Sequence, residues 1–425
     1  MSISHKPNLR PSAQSLGHEA VQLLHSLAQF GSVPEGGITR LVYTPAWREA
    51  QAWLEREMTS RGLLTFWDDV GNLYGRSEPA SPGGRRILTG SHVDTVRQGG
   101  CFDGAAGIVA SLIAVSWLRA TYGPPHLPLD VVSFAEEEGV RFPVAFWGSS
   151  NALAAAEGRE PTPLPRVLDE DGIDIERAIR DANLPPSSQR SRQPVGAYVE
   201  LHVEQGSKLE EAGVDIGVVT AIVGQRRYWV EVVGRAGHAG TMSMQARVDA
   251  MACACSLLNE LLERAAAIPD LTLTAGQWHV EPNAVNVIPG RVTFSLDVRH
   301  PSERQLDLFA CEIESVCSNI AAERRASVRL TSWMKQSPVP MDPTIIALIS
   351  SAGNDAGWSS MPLLSGAGHD AQTFAGSVPS GMIFVPSRGG VSHAPDEFTS
   401  SDALGRGIEV LIRVLYALAY ETYLP

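Results

Sequence analysis

Residues 86–139, RILTGSHVDTVRQGGCFDGAAGIVASLIAVSWLRATYGPPHLPLDVVSFAEEEG, decide the fold class of this chain. Two β-rich runs, Arg86–Thr89 and Asp130–Ala135, flank an apolar segment of helical length, Ala105–Ala120. A strand, a helix and a second strand at this spacing predict an α/β fold, in which a parallel central sheet carries helices on its faces. Functional residues in such sheets gather at the carboxyl ends of the strands.

Residue types that bind metals follow the apolar strands at five places. They are His92, Asp103, the run Glu136–Glu138, His202 and His393. An isolated loop histidine is usually structural, and three adjacent glutamates usually form a solvated surface. Here the glutamates end an apolar strand, where their mutual repulsion favours a neutralising cation. Two carboxylates and three imidazoles suit two zinc ions that share a bridging carboxylate, an arrangement that activates water and polarises a carbonyl.

Composition and charge disfavour several classes of protein. Lys and Arg number 34 against 47 Asp and Glu, a net charge of −13, which argues against nucleic acid or anionic membranes as partners. The longest apolar stretch, Ala105–Leu118, is too short and too interrupted by serine to predict a transmembrane helix. The N-terminal residues MSISHKPNLRPSAQ lack the apolar core of a secretory signal. Because the five cysteines match no zinc pattern, we expect a reduced, cytoplasmic protein.

The hydrophobic pattern changes near Ile222 and predicts a second domain. Successive segments favour strand, helix, two strands, helix and strand: Tyr228–Val233, Val248–Ala267, Leu271–Val280, Arg291–Val298, Glu303–Glu323 and Ser327–Trp333. This order is typical of a small two-layer α/β unit. We therefore predict a discontinuous larger domain of residues 1–221 and 336–425, interrupted by a smaller inserted domain of residues 222–335.

Eight short motifs carry a resemblance to a known family. In chain order they are GSHVDTV, GGCFDGAAG, EEEGVRF, ELHVEQG, GRAGHAGTM, NVIPGRVTFSLDVR, SGAGHDA and GVSHAP. Together they resemble the hydantoinase/carbamoylase group of dinuclear-zinc amidohydrolases, which includes N-carbamoyl-L-amino acid amidohydrolases, β-ureidopropionases and allantoate amidohydrolases. The resemblance runs from about Asp69 to His393, and it implies a zinc-dependent catalytic domain with an inserted lid and dimerisation domain.

The resemblance implies five metal ligands for two divalent ions per chain: His92, Asp103, Glu138, His202 and His393. Asp103 is implied to bridge the two ions. His92 and His202 then belong to one ion, and Glu138 and His393 to the other. Zinc is the expected metal, although manganese and cobalt accept the same nitrogen and oxygen ligands.

Other residues near the ligands also match the family pattern. Glu137 is implied to be the general base that takes a proton from the metal-activated water, and its place beside a ligand suits that role. Asp94 matches a carboxylate that orients an imidazole ligand. His369 and Asp370 either orient a ligand or brace a loop. Cys101 is a small buried residue or, as the alternative, a redox group.

Substrate contacts are implied at five further positions: Gln205, Arg227, His238, Asn286 and Arg299. In the resembling enzymes, the residue at His238 crosses a dimer interface and stabilises the oxyanion, so a homodimer is expected. Arg299 and Asn286 are expected to hold a substrate carboxylate, since a guanidinium fork pairs bidentately with it. A structural salt bridge is the alternative for Arg299, and an exposed basic pair is the alternative for Arg226 and Arg227.

The implied reaction is hydrolysis of a linear, non-peptide C–N bond in an N-carbamoyl-L-amino acid or related ureido acid, releasing ammonia and carbon dioxide. Allantoate hydrolysis is the nearest alternative, favoured by the segment Gln225–Arg227. An aminoacylase or dipeptidase is a further alternative. His202 disfavours it, because the related peptidases are expected to have a carboxylate ligand at the matching position. A non-catalytic metal-binding protein predicts loss of a ligand or of the base, and all are present.

Overall fold

The computed structural model describes residues 11–80, 83–160 and 167–421. Residues 1–10, which form most of the segment MSISHKPNLRPSAQ, lie outside the described part of the chain. The α-helices are α1 (Ala13–Leu27), α2 (Pro45–Ser60), α3 (Ala105–Tyr122), α4 (Trp147–Ala156), α5 (Ile175–Asp181), α6 (Lys208–Ala212), α7 (Ala250–Ala266), α8 (Glu303–Arg324), α9 (Pro343–Ala356), α10 (Ala371–Phe374) and α11 (Ser401–Ala419). The strands are β1 (Leu64–Trp67), β2 (Leu73–Ser77), β3 (Arg86–His92), β4 (Leu129–Phe134), β5 (Val195–Val203), β6 (Ile216–Ile222), β7 (Gly224–Val233), β8 (Gly237–His238), β9 (Thr272–Glu281), β10 (Val287–Ile288), β11 (Arg291–His300), β12 (Ser327–Gln336), β13 (Val339–Pro340), β14 (Ser360–Ser365) and β15 (Ser380–Val385).

The chain divides into two compact units. Unit 1 contains Met1–Thr220 and Pro340–Pro425, and unit 2 contains Ala221–Val339. The predicted insertion, residues 222–335, lies inside unit 2. That this insertion acts as a lid and dimerisation domain stays a prediction.

A nine-stranded sheet forms the centre of unit 1. Its order is β1-β2-β4-β3-β5-β15-β6-β13, with β14 beside β6. The neighbouring strands β4, β3, β5 and β15 are parallel, which confirms the predicted α/β class. Because these four strands run in one direction, their carboxyl ends meet along a single edge of the sheet.

Helix α3 packs against this sheet and explains the most apolar stretch of the sequence. It contacts β3, β5 and α11. Among the described helices, α3 alone is long and apolar enough to cross a membrane by composition, but 67% of that segment is buried inside the protein. The helix continues to Tyr122, so the sequence argument that the stretch is too short was wrong. Burial against the sheet, rather than length, identifies α3 as a core helix.

Strand β5 is more buried than its sequence indicates. Polar and apolar residues alternate along it, which is typical of a strand with one solvated face, yet every residue of Val195–Val203 is buried. The reason is its position between two parallel strands near the middle of the sheet, where both faces are covered. Its polar residues Glu200 and His202 therefore face other buried polar groups.

Unit 2 has the predicted two-layer α/β arrangement. Its antiparallel sheet has the order β12-β7-β11-β9, and α7 and α8 pack against it. Along β11 the even-numbered residues are buried and the odd-numbered ones remain partly or fully exposed. Phe294 belongs to the buried cluster that also contains Leu257 and Phe309 of the two helices. Polar residues such as Asp297 and Arg299 therefore lie on the other face of the sheet.

A buried ion-pair network joins β2, β3 and β4 in unit 1. Asp130 accepts two hydrogen bonds of 2.7 Å from Arg76 and one of 3.1 Å from Arg86. All three side chains are almost completely buried. The carboxylate therefore balances two guanidinium groups that lie out of contact with water.

Asp130→Ala is expected to lower the free energy of unfolding by about 3–5 kcal/mol, because removing one partner of a buried ion pair leaves an uncompensated charge. Denaturant titration followed by tryptophan fluorescence measures this loss. Glu176→Ala is the control, since it breaks an exposed pair with Arg180 and should cost less than about 1 kcal/mol. Equal losses for the two variants would contradict the assignment.

Candidate metal centre

Asp103 lies between two groups of side chains that can hold metal ions. The first group is His92, Asp103 and His202, and the second is Asp103, Glu138 and His393, with ligand atoms within 4.8 Å of one another in each. Asp103 Oδ1 is 3.2 Å from His202 Nε2 and 3.7 Å from His92 Nε2. Asp103 Oδ2 is 3.1 Å from His393 Nε2, which is 3.8 Å from Glu138 Oε1. Each carboxylate oxygen thus faces its own set of ligands.

The four parallel strands position the ligands. His92 ends β3, His202 lies near the end of β5, Glu138 follows β4, and His393 follows β15. Asp103 lies just before α3. The polar residues that follow these strands therefore lie together, because the carboxyl ends of parallel strands meet at one edge of the sheet.

Gly104 allows the loop of Asp103 to approach the histidines. Its φ is +61°, and a Cβ atom there would lie 2.5 Å from atoms of the His92 ring. Only glycine combines this left-handed backbone with the absence of a side chain. Any other residue would push the Asp103 carboxylate away from its neighbours.

Backbone carbonyls fix the tautomers of the two buried histidines. His92 Nδ1 lies 2.9 Å from the carbonyl oxygen of Asp94, and His202 Nδ1 lies 2.9 Å from that of Val203. A carbonyl only accepts, so Nδ1 carries the proton in both rings. In the neutral ring the Nε2 lone pair then faces Asp103, which is the arrangement of a metal-ligating histidine.

The donor set fits divalent metal ions. Atoms bound to one ion at ~2.0–2.2 Å lie roughly 3–4 Å apart, which matches the separations around Asp103. Glu138 Oε1 is buried and has no hydrogen-bond partner in the described part of the chain. A buried acceptor normally has a partner, and a bound cation would supply one here.

The pKa values show how strongly the ligands depend on one another. Burial and then the charge of Asp103 raise the pKa of Glu138 to about 7. The hydrogen bond to Asp103 raises the pKa of His393 to about 9, although burial opposes it. When no cation is bound, protons on Glu138 and His393 balance the negative charge of the cluster. Metal binding must therefore release protons and weaken as the pH falls.

Glu137 lies beside the first group and is held by Asp94. Its Oε2 is 3.7 Å from His92 Nε2. The Asp94 carboxylate accepts hydrogen bonds from the backbone N–H of Glu137 at 3.1 Å and of Glu138 at 3.2 Å. This corrects the expected role of Asp94: its carboxylate is 3.9 Å from the His92 ring, too far for a hydrogen bond, and it positions the backbone of the two glutamates instead.

Two buried carboxylates next to the ligands were missed by sequence reasoning. Glu200 accepts hydrogen bonds from Ser91 Oγ at 2.7 Å and from the backbone N–H of Ala371 at 3.0 Å. Its position two residues before His202, on the same face of β5, was the available signal. Glu397 accepts hydrogen bonds from backbone N–H groups of the Asp103 loop, and no spacing in the sequence announces that contact.

Two open questions about neighbouring residues have structural answers. The His369 ring packs edge-on against the His202 ring, with centroids 4.5 Å apart, and its Nε2 lies 2.9 Å from Ser365 Oγ. His369 therefore contacts a ligand ring directly, whereas Asp370 is buried beside it at the start of α10. Cys101 packs against the hydrophobic core of unit 1, and burial raises the pKa of its thiol to about 11.

In unit 2 the predicted substrate residues form two pairs. His238 pairs with Val287 across β8 and β10, which places it next to Asn286, and both side chains are exposed. Arg299 and Arg227 share the carboxylate of Asp297, donating from Nε at 2.9 Å and 2.7 Å. The Arg227 guanidinium also lies over the ring of Trp333, 5.5 Å from its centre.

One interpretation of the sequence, that Arg226 and Arg227 form an exposed basic pair, is wrong. Arg226 is buried and donates to Glu303, to Asp307 and to the carbonyl of Gln336. Arg227 lies on the opposite face of β7 because successive strand residues alternate. The two arginines therefore have different surroundings: Arg226 is buried, whereas Arg227 is partly exposed on the face that also carries Asp297.

Comparison with known proteins identifies the family. The model of Peptidase family M20/M25/M40 matches residues 88–417, and the chain belongs to this family of metal-dependent enzymes. Allantoate amidohydrolase of Bacillus subtilis is 42% identical over 96% of this chain and 98% of its own. N-carbamoyl-L-amino acid amidohydrolase of Geobacillus stearothermophilus is 37% identical over 95% and 98%. A hydantoinase/carbamoylase family amidase of Burkholderia multivorans superposes with a TM-score of 0.88 at 30% identity, covering 95% and 98%.

Neighbouring glutamates are expected to differ in role. Glu137→Gln should keep metal content but lose roughly 10²–10⁴ in turnover, the scale of a positioned proton-transfer group. Glu138→Gln should lower metal occupancy because it removes a ligand charge. Elemental analysis and turnover of both purified variants measure this difference. Identical metal content and turnover in the two variants would show that the roles are wrongly assigned.

Proposed function

We propose that the protein hydrolyses the ureido group of a small carboxylic acid, R–NH–CO–NH2 + H2O → R–NH2 + NH3 + CO2. The observation that carries the proposal is the complete set of five candidate ligands, which are Asp103 and the four side chains around it, with Glu137 beside them. Two divalent ions, zinc or else manganese or cobalt, would polarise the ureido carbonyl and acidify water. Glu137, buried next to His92, accepts the proton of the attacking water and delivers it to the leaving nitrogen.

Two substrate classes fit this site. The named relatives act on allantoate or on N-carbamoyl-L-amino acids. N-carbamoyl-L-amino acids need one group for the carboxylate, which Arg299 supplies. Allantoate carries a second ureido group, and Arg227 beside Arg299 offers a further donor for its carbonyl. We therefore place allantoate first among the substrates to test.

A substrate panel tests the reaction class. Purified, metal-loaded protein is expected to release ammonia from allantoate or N-carbamoyl-L-amino acids, and to act far more weakly on N-acetyl amino acids and dipeptides. The reason is that a site with polar groups for a ureido end rejects analogues that leave those groups unpaired. Fastest turnover of the dipeptides would assign the chain to the peptidase branch of the family.

The same panel tests the carboxylate contact. Arg299→Ala is expected to raise KM for acid substrates at least ~10-fold, since truncating one partner of a desolvated charge pair costs ~2–5 kcal/mol. Arg291→Ala is the matched control, because Arg291 lies on the same face of β11 and pairs with Glu231. An unchanged KM in Arg299→Ala, or an equal rise in both variants, would remove Arg299 from the binding site.

We further propose that the protein works as a cytoplasmic homodimer, in which unit 2 of one chain contributes His238 to the active site of its partner. The side chain of His238 is exposed, so its ring is free to contact a substrate oxyanion. A neutral or protonated imidazole donates a hydrogen bond to such an oxygen, which is the role expected of this residue. The five cysteines are free in the described structure, as suits a reducing compartment.

Subunit mixing tests this arrangement. His238→Ala and Glu137→Gln chains are each expected to be nearly inactive alone. After exchange of subunits, the heterodimer should regain activity, because one site then combines an intact base with an intact histidine. Mixing two preparations of His238→Ala is the control. No recovery after demonstrated exchange would show that His238 acts within its own chain or only structurally.

A further inference from the structure

The side chain of Gln205 is only half satisfied. It lies three residues after the ligand His202, in a left-handed backbone conformation with φ +57°. Its backbone N–H donates to Ser387 Oγ at 3.1 Å, and its Nε2 donates to Ser392 Oγ at 3.1 Å. Its Oε1 is buried and has no hydrogen-bond partner in the described part of the chain.

Hydrogen-bond accounting fixes which end of this amide faces Ser392. Ser392 Oγ donates to Glu397 Oε1 at 2.8 Å, and a carboxylate only accepts. The single hydroxyl proton is therefore used, so Ser392 can only accept from Gln205. The amide must present Nε2 to the serine, which directs Oε1 the other way.

The hydrogen bonds from Gln205 to Ser392 and from Ser392 to Glu397 form a relay. Its far end, Glu397, is held in place as well. Glu397 Oε2 accepts the backbone N–H of Phe102 at 2.9 Å and of Asp103 at 3.0 Å. Gly100 leaves room for this contact, because a Cβ atom there would lie 2.2 Å from Glu397 Oε2. The relay therefore begins on the loop of the bridging ligand and ends three residues beyond His202.

We propose that Ser392 and Glu397 are positioning residues that make Gln205 Oε1 an acceptor for the terminal NH2 of a ureido substrate. The proposal rests on the proposed function and names what distinguishes its substrates. An N-acetyl group places a methyl where the ureido NH2 lies, and it leaves the buried Oε1 unpaired. A buried acceptor without a donor is unfavourable, so the site should bind such an analogue more weakly.

An isosteric substitution reverses the relay. In Glu397→Gln the two backbone N–H groups hold the amide oxygen, so the amide NH2 faces Ser392 and donates to it. The serine proton is then free to donate to Gln205, whose amide turns and presents NH2 to the substrate. A donor now meets the ureido NH2, and preference for the ureido group is lost.

The experiment measures the preference for the N-carbamoyl over the N-acetyl form of the same L-amino acid. Both are assayed as substrates, or as competitive inhibitors of allantoate hydrolysis, in wild type and variants. Glu397→Gln is expected to lower the preference about tenfold, the scale of one buried hydrogen bond. In a Ser392→Ala background it should have little further effect, because the relay is already cut. Ser392→Thr keeps the hydroxyl and should keep the preference.

Two controls separate this role from a structural one. Loss of metal or of folding lowers the rates with both compounds together, and elemental analysis of each variant detects it. Ser387→Ala removes a hydrogen bond to the same residue without touching the amide, so its preference should match wild type. An unchanged preference in Glu397→Gln would overturn the inference alone. A wild type without preference for the carbamoyl compound would overturn the proposed function and the inference together.

Discussion

The site depends on one buried carboxylate with two faces. Asp103 directs one oxygen to His92 and His202 and the other to His393. A carboxylate that bridged two ions would need further ligands on both sides at the same time, and four parallel strands place candidate ligands there because their carboxyl ends share one edge. The glycine after Asp103 permits the approach, since no side chain fits between the loop and the His92 ring.

The surrounding contacts position the ligands through the backbone. Asp94 holds the N–H groups of Glu137 and Glu138, and Glu397 holds the N–H groups of the Asp103 loop. Backbone carbonyls orient the two imidazoles. Ligands held by such contacts keep their geometry when a proton is transferred or a substrate binds nearby, as a preorganised site requires. The same carboxylate, Glu397, is also connected to Gln205 through hydrogen bonds to Ser392.

Sequence patterns predicted the fold class and the neighbourhood of the ligands because both follow from local order along the chain. Strand, helix and strand around Ala105–Tyr122 require a parallel sheet, and residues after such strands must converge. Glu397 and the backbone role of Asp94 could not be predicted, because their partners are distant in sequence and no periodicity marks them. The complete burial of β5 and of Arg226 could not be predicted for the same reason, since alternation indicates two faces but not what covers each one.

The central claim is that Asp103 bridges two metal ions. Anomalous diffraction from crystals of the metal-loaded protein, collected on both sides of the absorption edge of the added metal, tests it most directly. The account predicts two anomalous peaks about 3.5–4 Å apart, one on each side of the Asp103 carboxylate, with His92 and His202 on one peak and Glu138 and His393 on the other. A single peak, or two peaks that do not both contact Asp103, would contradict it.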